Sequence, residues 1–290
     1  MITGSIVALV TPMLRDGQVD FEGLAGLVEY HIEAGTSALG VAGTTGESAT
    51  LTMSEHREVI RFAVECAANR IPVIAGTGSN STHEAIELTV AAAEAGANSV
   101  LLVTPYYNRP TQEGLYRHFC EVAAAVNIPI ILYNVPARTG VDLSNDTVMR
   151  LSEIGNISGL KDATGDVDRG ASLIDRLSDT FAVYSGDDAT ALDLMRHGAK
   201  GNVSVTANIA AGQVADVCRL ALSGDFPAAE AVDAVLSALN HALFIEPNPI
   251  PVKWAMAELG MVKEGIRLPL VPLSSDHQGL VRAALQQAGL

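Results

Sequence analysis

One lysine in this sequence stands where an amine can do chemistry. Lys161 closes the short apolar run Ile157-Ser158-Gly159-Leu160. An amine taken out of water holds its proton less tightly, and the free base can add to a carbonyl to form a Schiff base. The same position also suits a rim lysine that stretches its ammonium into solvent. Tyr133 ends the preceding apolar run, Ile130-Ile131-Leu132, and the spacing of neighbouring strands would set its phenol ~5 Å from the amine. Imine formation moves protons between amine, carbinolamine and departing water, a task for a phenol beside a cation. A tyrosine that merely plugs the top of a barrel is the structural alternative.

A third group surrounds these two. In Gly43-Thr44-Thr45-Gly46-Glu47, the glycines permit a tight turn, and two hydroxyls with nearby N–H groups make a small anion cradle. Such loops also serve turn geometry alone. Arg138, in the loop after Tyr133, is suited to a bidentate grip on a second carboxylate, or is an ordinary surface arginine. Tyr106 and Tyr107 lie together in the polar stretch Tyr106-Tyr107-Asn108-Arg109-Pro110, where an aromatic tip can seal a subunit contact. Amine, phenol and carboxylate cradle together suit a 2-oxo acid.

These residues need a frame that brings strand ends together. Val- and Ile-rich runs at 5–11, 38–42, 72–76, 99–104, 130–134, 158–161, 182–185 and 202–205 alternate with stretches of helical period at 21–34, 54–68, 82–95, 112–126, 144–153, 169–178, 189–197 and 209–223. The strands end near Thr11, Gly43, Gly76, Thr104, Tyr133, Lys161, Ser185 and Val205, about 20–33 residues apart, which is the length of a βα unit. Eight such units predict an α/β fold, a (β/α)8 TIM barrel over residues 1–223, with chemistry at the C-terminal strand ends. An open doubly wound sheet would usually carry a glycine-rich phosphate turn after its first strand, where this chain has Thr11-Pro12-Met13. Residues 224–290 are expected to form a C-terminal helical domain, with helices at 226–244, 252–259 and 276–288. Pro247, Pro249 and Pro251 are read as an extended or turned break.

Composition narrows the function classes. The chain has 290 residues, 18 Lys+Arg and 33 Asp+Glu, for a net charge of -15. Phosphate-backbone binding needs clustered cations, so no nucleic-acid partner is expected. The first residues lack the basic start of a signal peptide, and no run is long enough to span a membrane, so a cytoplasmic protein is expected. Cys66, Cys120 and Cys218 are widely spaced within helical stretches and read as buried free thiols. The seven His residues show no metal-binding spacing, so no metal is expected.

The strings GTTGESATL, PVIAGTGSNST, VTPYYNRPTQEGLYRHF, ILYNVPARTG, GLKDATGD, SGDDATALD and EPNPIPVKWA resemble the dihydrodipicolinate synthase family, within the class I aldolase-like pyruvate lyases. The resemblance runs from Gly4 to the C-terminus. It implies a Lys161 Schiff base with pyruvate, tautomerisation to an enamine, addition to L-aspartate-4-semialdehyde and ring closure, without a cofactor beyond the covalent imine. Lys161 then matches the imine lysine and Tyr133 the proton carrier, with Thr44 and Tyr107 completing a relay to which a neighbouring subunit supplies Tyr107. Thr45 and the Val203 backbone match pyruvate contacts, Gly186 is grouped with them, and Arg138 matches the contact to the semialdehyde carboxylate. Sialic acid and 2-keto-3-deoxy sugar acid aldolases share the lysine and tyrosine, but they would call for neutral groups where Arg138 stands. A catalytically silent binding barrel would have no use for the amine. The resemblance also implies a homo-oligomer, a dimer of dimers, with a lysine effector site at Ser48, Ala49, His56, Asn80, Glu84 and Tyr106. Met53 departs from that pattern, which commonly carries a polar or basic side chain there.

Overall fold

The computed structural model describes residues 1–290. Eight parallel strands, β1 (Gly4–Ala8), β2 (Ala38–Val41), β3 (Val73–Gly76), β4 (Ser99–Val103), β5 (Ile130–Asn134), β6 (Ile157–Asp162), β7 (Ala182–Ser185) and β8 (Gly201–Ser204), close into a barrel in chain order. The connections hold helices α1 (Phe21–Glu33), α2 (Met53–Ala67), α3 (Thr82–Glu94), α4 (Gln112–Ala124), α5 (Pro136–Thr139), α6 (Asn145–Ser152), α7 (Val167–Ile174) and α8 (Ala191–Arg196). After β8 come α9 (Ala211–Leu222), α10 (Phe226–Ala242), α11 (Ile250–Glu258) and α12 (Ser275–Gln287). No helix is long and apolar enough to cross a membrane.

Strand residues alternate between two apolar layers, as the two-residue period of a strand requires. Ile6, Ile74, Ile131, Tyr133, Tyr184 and Val203 share the barrel interior. Their neighbours Val7, Val100, Leu132, Leu160 and Val183 face the helices in one large cluster. That outer cluster continues through Leu239, Val252, Met256 and Leu285, so α10 to α12 are welded to the barrel. Each fully buried Leu or Ile contributes roughly 1.5–3 kcal/mol.

Helix starts follow side-chain capping, which satisfies otherwise unpaired N–H groups. Thr52 and Glu55 form a reciprocal capping box on α2, and Asp20, Ser81, Thr111 and Ser144 cap α1, α3, α4 and α6. The structure corrects several sequence expectations. The first strand ends at Ala8 rather than residue 11, because the Asn208 side chain takes over as acceptor for the Val10 N–H at 3.0 Å. The segment at 189–197 is not one helix. A 3-10 turn at Asp188–Thr190 precedes α8, and the buried Asp188 carboxylate accepts from Asn202 Nδ2, Val205 N and Thr206 N. Helix α7 starts earlier than residue 169, where the Asp166 carboxylate accepts from Arg169 N at 3.0 Å. Pro251 is not excluded from a helix: it lies in the first turn of α11, where its missing N–H would have had no partner. Cys66 and Cys120 are only half-buried, unlike Cys218, whose thiol burial pushes up to about 12; all three are free.

Candidate active site

Lys161 and Tyr133 are register partners on β6 and β5, and both point into the barrel. Each is 6% exposed, and the Lys161 Nζ lies 4.2 Å from the centroid of the Tyr133 ring. Tyr184, the register partner of Lys161 on β7, is the other tyrosine in this interior. Its hydroxyl donates to the Ile2 carbonyl at 2.7 Å, and burial pushes its pKa up to about 12. That leaves Tyr133, without such a bond, as the phenol suited to serve the amine.

Room for Lys161 comes from a missing side chain. A Cβ on Gly186, just after β7, would lie 2.7 Å from Lys161 Cε and 2.8 Å from Ala163 Cβ. Only glycine leaves the lysine stem its place. Val203 on β8 lines the same interior and is 4% exposed.

The loop after β2 carries Thr44, half-buried, and Thr45, buried. With strands closed in chain order, β2 stands opposite β6, so the hydroxyl loop faces Lys161 across the mouth. Thr45 Oγ1 accepts from Asn248 Nδ2 at 2.9 Å. The Asn248 carbonyl in turn accepts from Arg138 Nη2 at 3.2 Å. Arg138 is exposed in α5 and forms no ion pair, so its guanidinium can still meet a carboxylate.

Tyr107 lies apart from this group. It is 89% exposed, with φ 73, and its N–H donates to the Thr139 carbonyl at 3.3 Å. A left-handed tyrosine projecting into solvent is an unusual arrangement. Of the residues grouped as an effector site, Ser48 and Ala49 form a 3-10 turn just ahead of α2, which begins at the exposed Met53. His56 is buried with its Nε2 2.7 Å from the Gly76 carbonyl, and burial lowers its pKa. Exposed Glu84 accepts from Ser79 Oγ at 2.9 Å. The Asn80 carbonyl accepts from Asn108 Nδ2 at 2.8 Å, in the loop that also holds Tyr106.

Residue type alone does not mark a second buried lysine. Lys253 in α11 is 4% exposed and pairs with Glu47, whose side chain is fully buried. Its Nζ also donates to the Thr11 carbonyl at 3.1 Å. Burial lowers the Lys253 pKa against the opposing pull of Glu47. The other Glu47 oxygen accepts from Arg267 N at 3.1 Å. The signal available in the sequence was a lone cation in the apolar stretch Ile250-Pro251-Val252-Lys253-Trp254-Ala255-Met256. No group of three or more His, Cys, Asp or Glu side chains is placed to hold a metal ion.

The site is thus an inward amine beside a free phenol, opposed by two hydroxyls. The profile of the Dihydrodipicolinate synthetase family matches residues 1–288. The chain belongs to that family. Among dihydrodipicolinate synthetase relatives, the 4-hydroxy-tetrahydrodipicolinate synthase of Thioalkalivibrio sulfidiphilus is 58% identical over 290 residues, covering 100% of this chain and 99% of the relative. That of Nitrosomonas eutropha is 56% identical with the same coverage. The dihydrodipicolinate synthase of Acinetobacter baumannii, solved in complex with pyruvate, superimposes with a TM-score of 0.99 at 58% identity, covering 100% and 99% of the two chains. The enzyme of Cyanidioschyzon merolae, solved with lysine bound, does so with a TM-score of 0.96 at 40% identity, covering 100% and 99%.

Proposed function

We propose that the chain is a lyase that condenses pyruvate with L-aspartate-4-semialdehyde to give 4-hydroxy-tetrahydrodipicolinate, in the diaminopimelate route to lysine. The observation that carries this reading is the Lys161 amine, buried and free of a carboxylate partner, over the Tyr133 ring.

The amine attacks the ketone carbon of pyruvate, and Tyr133 carries the proton that turns the carbinolamine hydroxyl into departing water. The resulting iminium loses a methyl proton to give an enamine, whose carbon adds to the aldehyde of the semialdehyde. Proton delivery to the new alkoxide is assigned to Thr44 and Tyr133, relayed by Tyr107 from a neighbouring subunit. The amino group of the semialdehyde then attacks the imine carbon, closes the ring and releases Lys161. Thr45 and the Val203 backbone hold the pyruvate carboxylate, Gly186 clears the space beside it, and Arg138 takes the second carboxylate as a charge-assisted pair. No cofactor enters: the covalent imine with the substrate serves as electron sink.

The exposure of Tyr107 supports an assembly of several copies, read as a dimer of dimers in the cytoplasm. Residues 1–223 form the catalytic barrel and 224–290 its helical extension. The lysine-bound relative supports L-lysine as an effector at Ser48, Ala49, His56, Asn80, Glu84 and Tyr106. Borohydride reduction in the presence of pyruvate, followed by intact mass, tests the reading. The expected product is one adduct per chain, equal to pyruvate less water plus two hydrogens, lost in Lys161→Ala; an adduct that survives this substitution would refute the assignment.

A further inference from the structure

The hydroxyl loop, Gly43 to Glu47, is held from behind by segments distant in sequence. Asn248 donates to the Thr45 hydroxyl, and Thr11 Oγ1 donates to the Gly46 carbonyl at 2.6 Å. The Glu47 N–H donates to the Thr44 carbonyl at 3.1 Å. Glu47 ends the loop with φ 55, a left-handed conformation that a bulky residue keeps only when its surroundings impose it. Those surroundings are Lys253 and the Arg267 N–H, one on each carboxylate oxygen. Lys253 also donates to the carbonyl of Thr11, so one ammonium ties Glu47 to the Thr11 support of the loop. The approach is close: a Cβ on Gly265 would lie 2.2 Å from the Met13 carbonyl oxygen.

A fully buried ion pair is a poor source of stability, because desolvating two ions cancels most of their attraction, and apolar side chains of equal volume often do as well. Unlike apolar contact, it fixes direction, since a carboxylate with a donor on each oxygen cannot rotate. We propose that Glu47 and Lys253 are positioning residues for the reaction: they orient the Thr44 and Thr45 hydroxyls so that pyruvate is bound with its ketone toward Lys161. This rests on the function proposed above. It makes the C-terminal extension part of the substrate site, although Lys253 is 206 residues from its partner.

Lys161 and Tyr133 stand on the opposite wall, so the pair governs pyruvate affinity and leaves the capacity to form the imine intact. The test uses the full chain, titrating pyruvate in borohydride trapping and in initial-rate assays. Four proteins are compared: parent, Glu47→Gln, Lys253→Met, and the double variant, whose pair is neutral. In the double variant, melting near the parent temperature is expected, with pyruvate half-saturation raised about tenfold or more and the trapped fraction at saturation unchanged. A purely structural pair predicts that stability and half-saturation recover together in the double variant, and that result overturns the proposal. Should the double variant not fold, Glu47→Asp decides, since it keeps the charge and withdraws the carboxylate by one methylene: raised half-saturation supports the role, and the parent value overturns it. A parent that traps no pyruvate overturns the proposed function itself, and the positioning role with it.

Discussion

Two lysines lie buried near the mouth of this barrel, with opposite arrangements around them. Lys253 faces a carboxylate and a carbonyl, while Lys161 faces the ring of Tyr133 and has no acid partner. Both are removed from water to nearly the same extent, 4% against 6% exposed. Burial alone therefore does not make a nucleophile. An ammonium paired with Glu47 is held in place by its carboxylate, whereas the Lys161 nitrogen, set against an aromatic face, has no carboxylate to leave before it bonds to carbon.

The contrast is open to attack from both sides. Lys161→Ala should abolish pyruvate trapping and lower turnover by about 10⁴-fold or more, with the urea midpoint close to that of the parent; substantial turnover would remove the distinction. Tyr133→Phe deletes one hydroxyl, and turnover should fall by about 10²–10⁴-fold with the circular dichroism spectrum retained. On the other side, Lys253→Met leaves Glu47 buried and unpaired and should cost about 3–5 kcal/mol of stability, measured by urea unfolding. An unchanged midpoint would mean that Glu47 finds another donor. Gly186→Ala should displace the Lys161 stem and lower turnover by about 10²-fold, without loss of Tm beyond that of other tight glycine sites.

The smallest effect concerns the Arg267 end of the network. Hydrogen bonds from Arg267 and Thr52 hold the Glu55 carboxyl at about 2, against an ordinary 4.5. A carboxylate with a depressed folded-state pKa contributes stability that is fully present above its unfolded value and lost as pH falls through the folded one. The stability gap between the parent and Glu55→Gln should be full above pH 4.5 and close toward pH 2. A gap independent of pH would assign the contact to packing.

The lysine and tyrosine are legible because each lies one residue from the end of its own strand, and the two-residue period with parallel pairing then forces them together. The hydroxyl loop was legible for the same reason. The Pro-rich segment reads from sequence as a break, yet Pro251 lies in the first turn of α11, the helix that carries Lys253. Tyr107 was placed by the resemblance alone, and within one chain its side chain reaches none of the partners named for it.

The net charge of -15 sharpens the same division. Pyruvate is an anion and the semialdehyde presents a carboxylate, so both carboxylates must be drawn by local cations rather than by the overall field. Near the site Lys253 is neutralised by Glu47 and Arg267 by Glu55, while Lys161 and Arg138 remain without carboxylate partners.

By itself, the sequence determined the barrel, every strand end but the first to within two residues, and the pairing of Lys161 with Tyr133, since those follow from periodicity and the short-range geometry of neighbouring strands. Only the tertiary structure decided which buried cation is neutralised and which is left reactive. That choice depends on a carboxylate brought across 206 residues of chain, and desolvation and ion pairing act through space, where residue spacing carries no information.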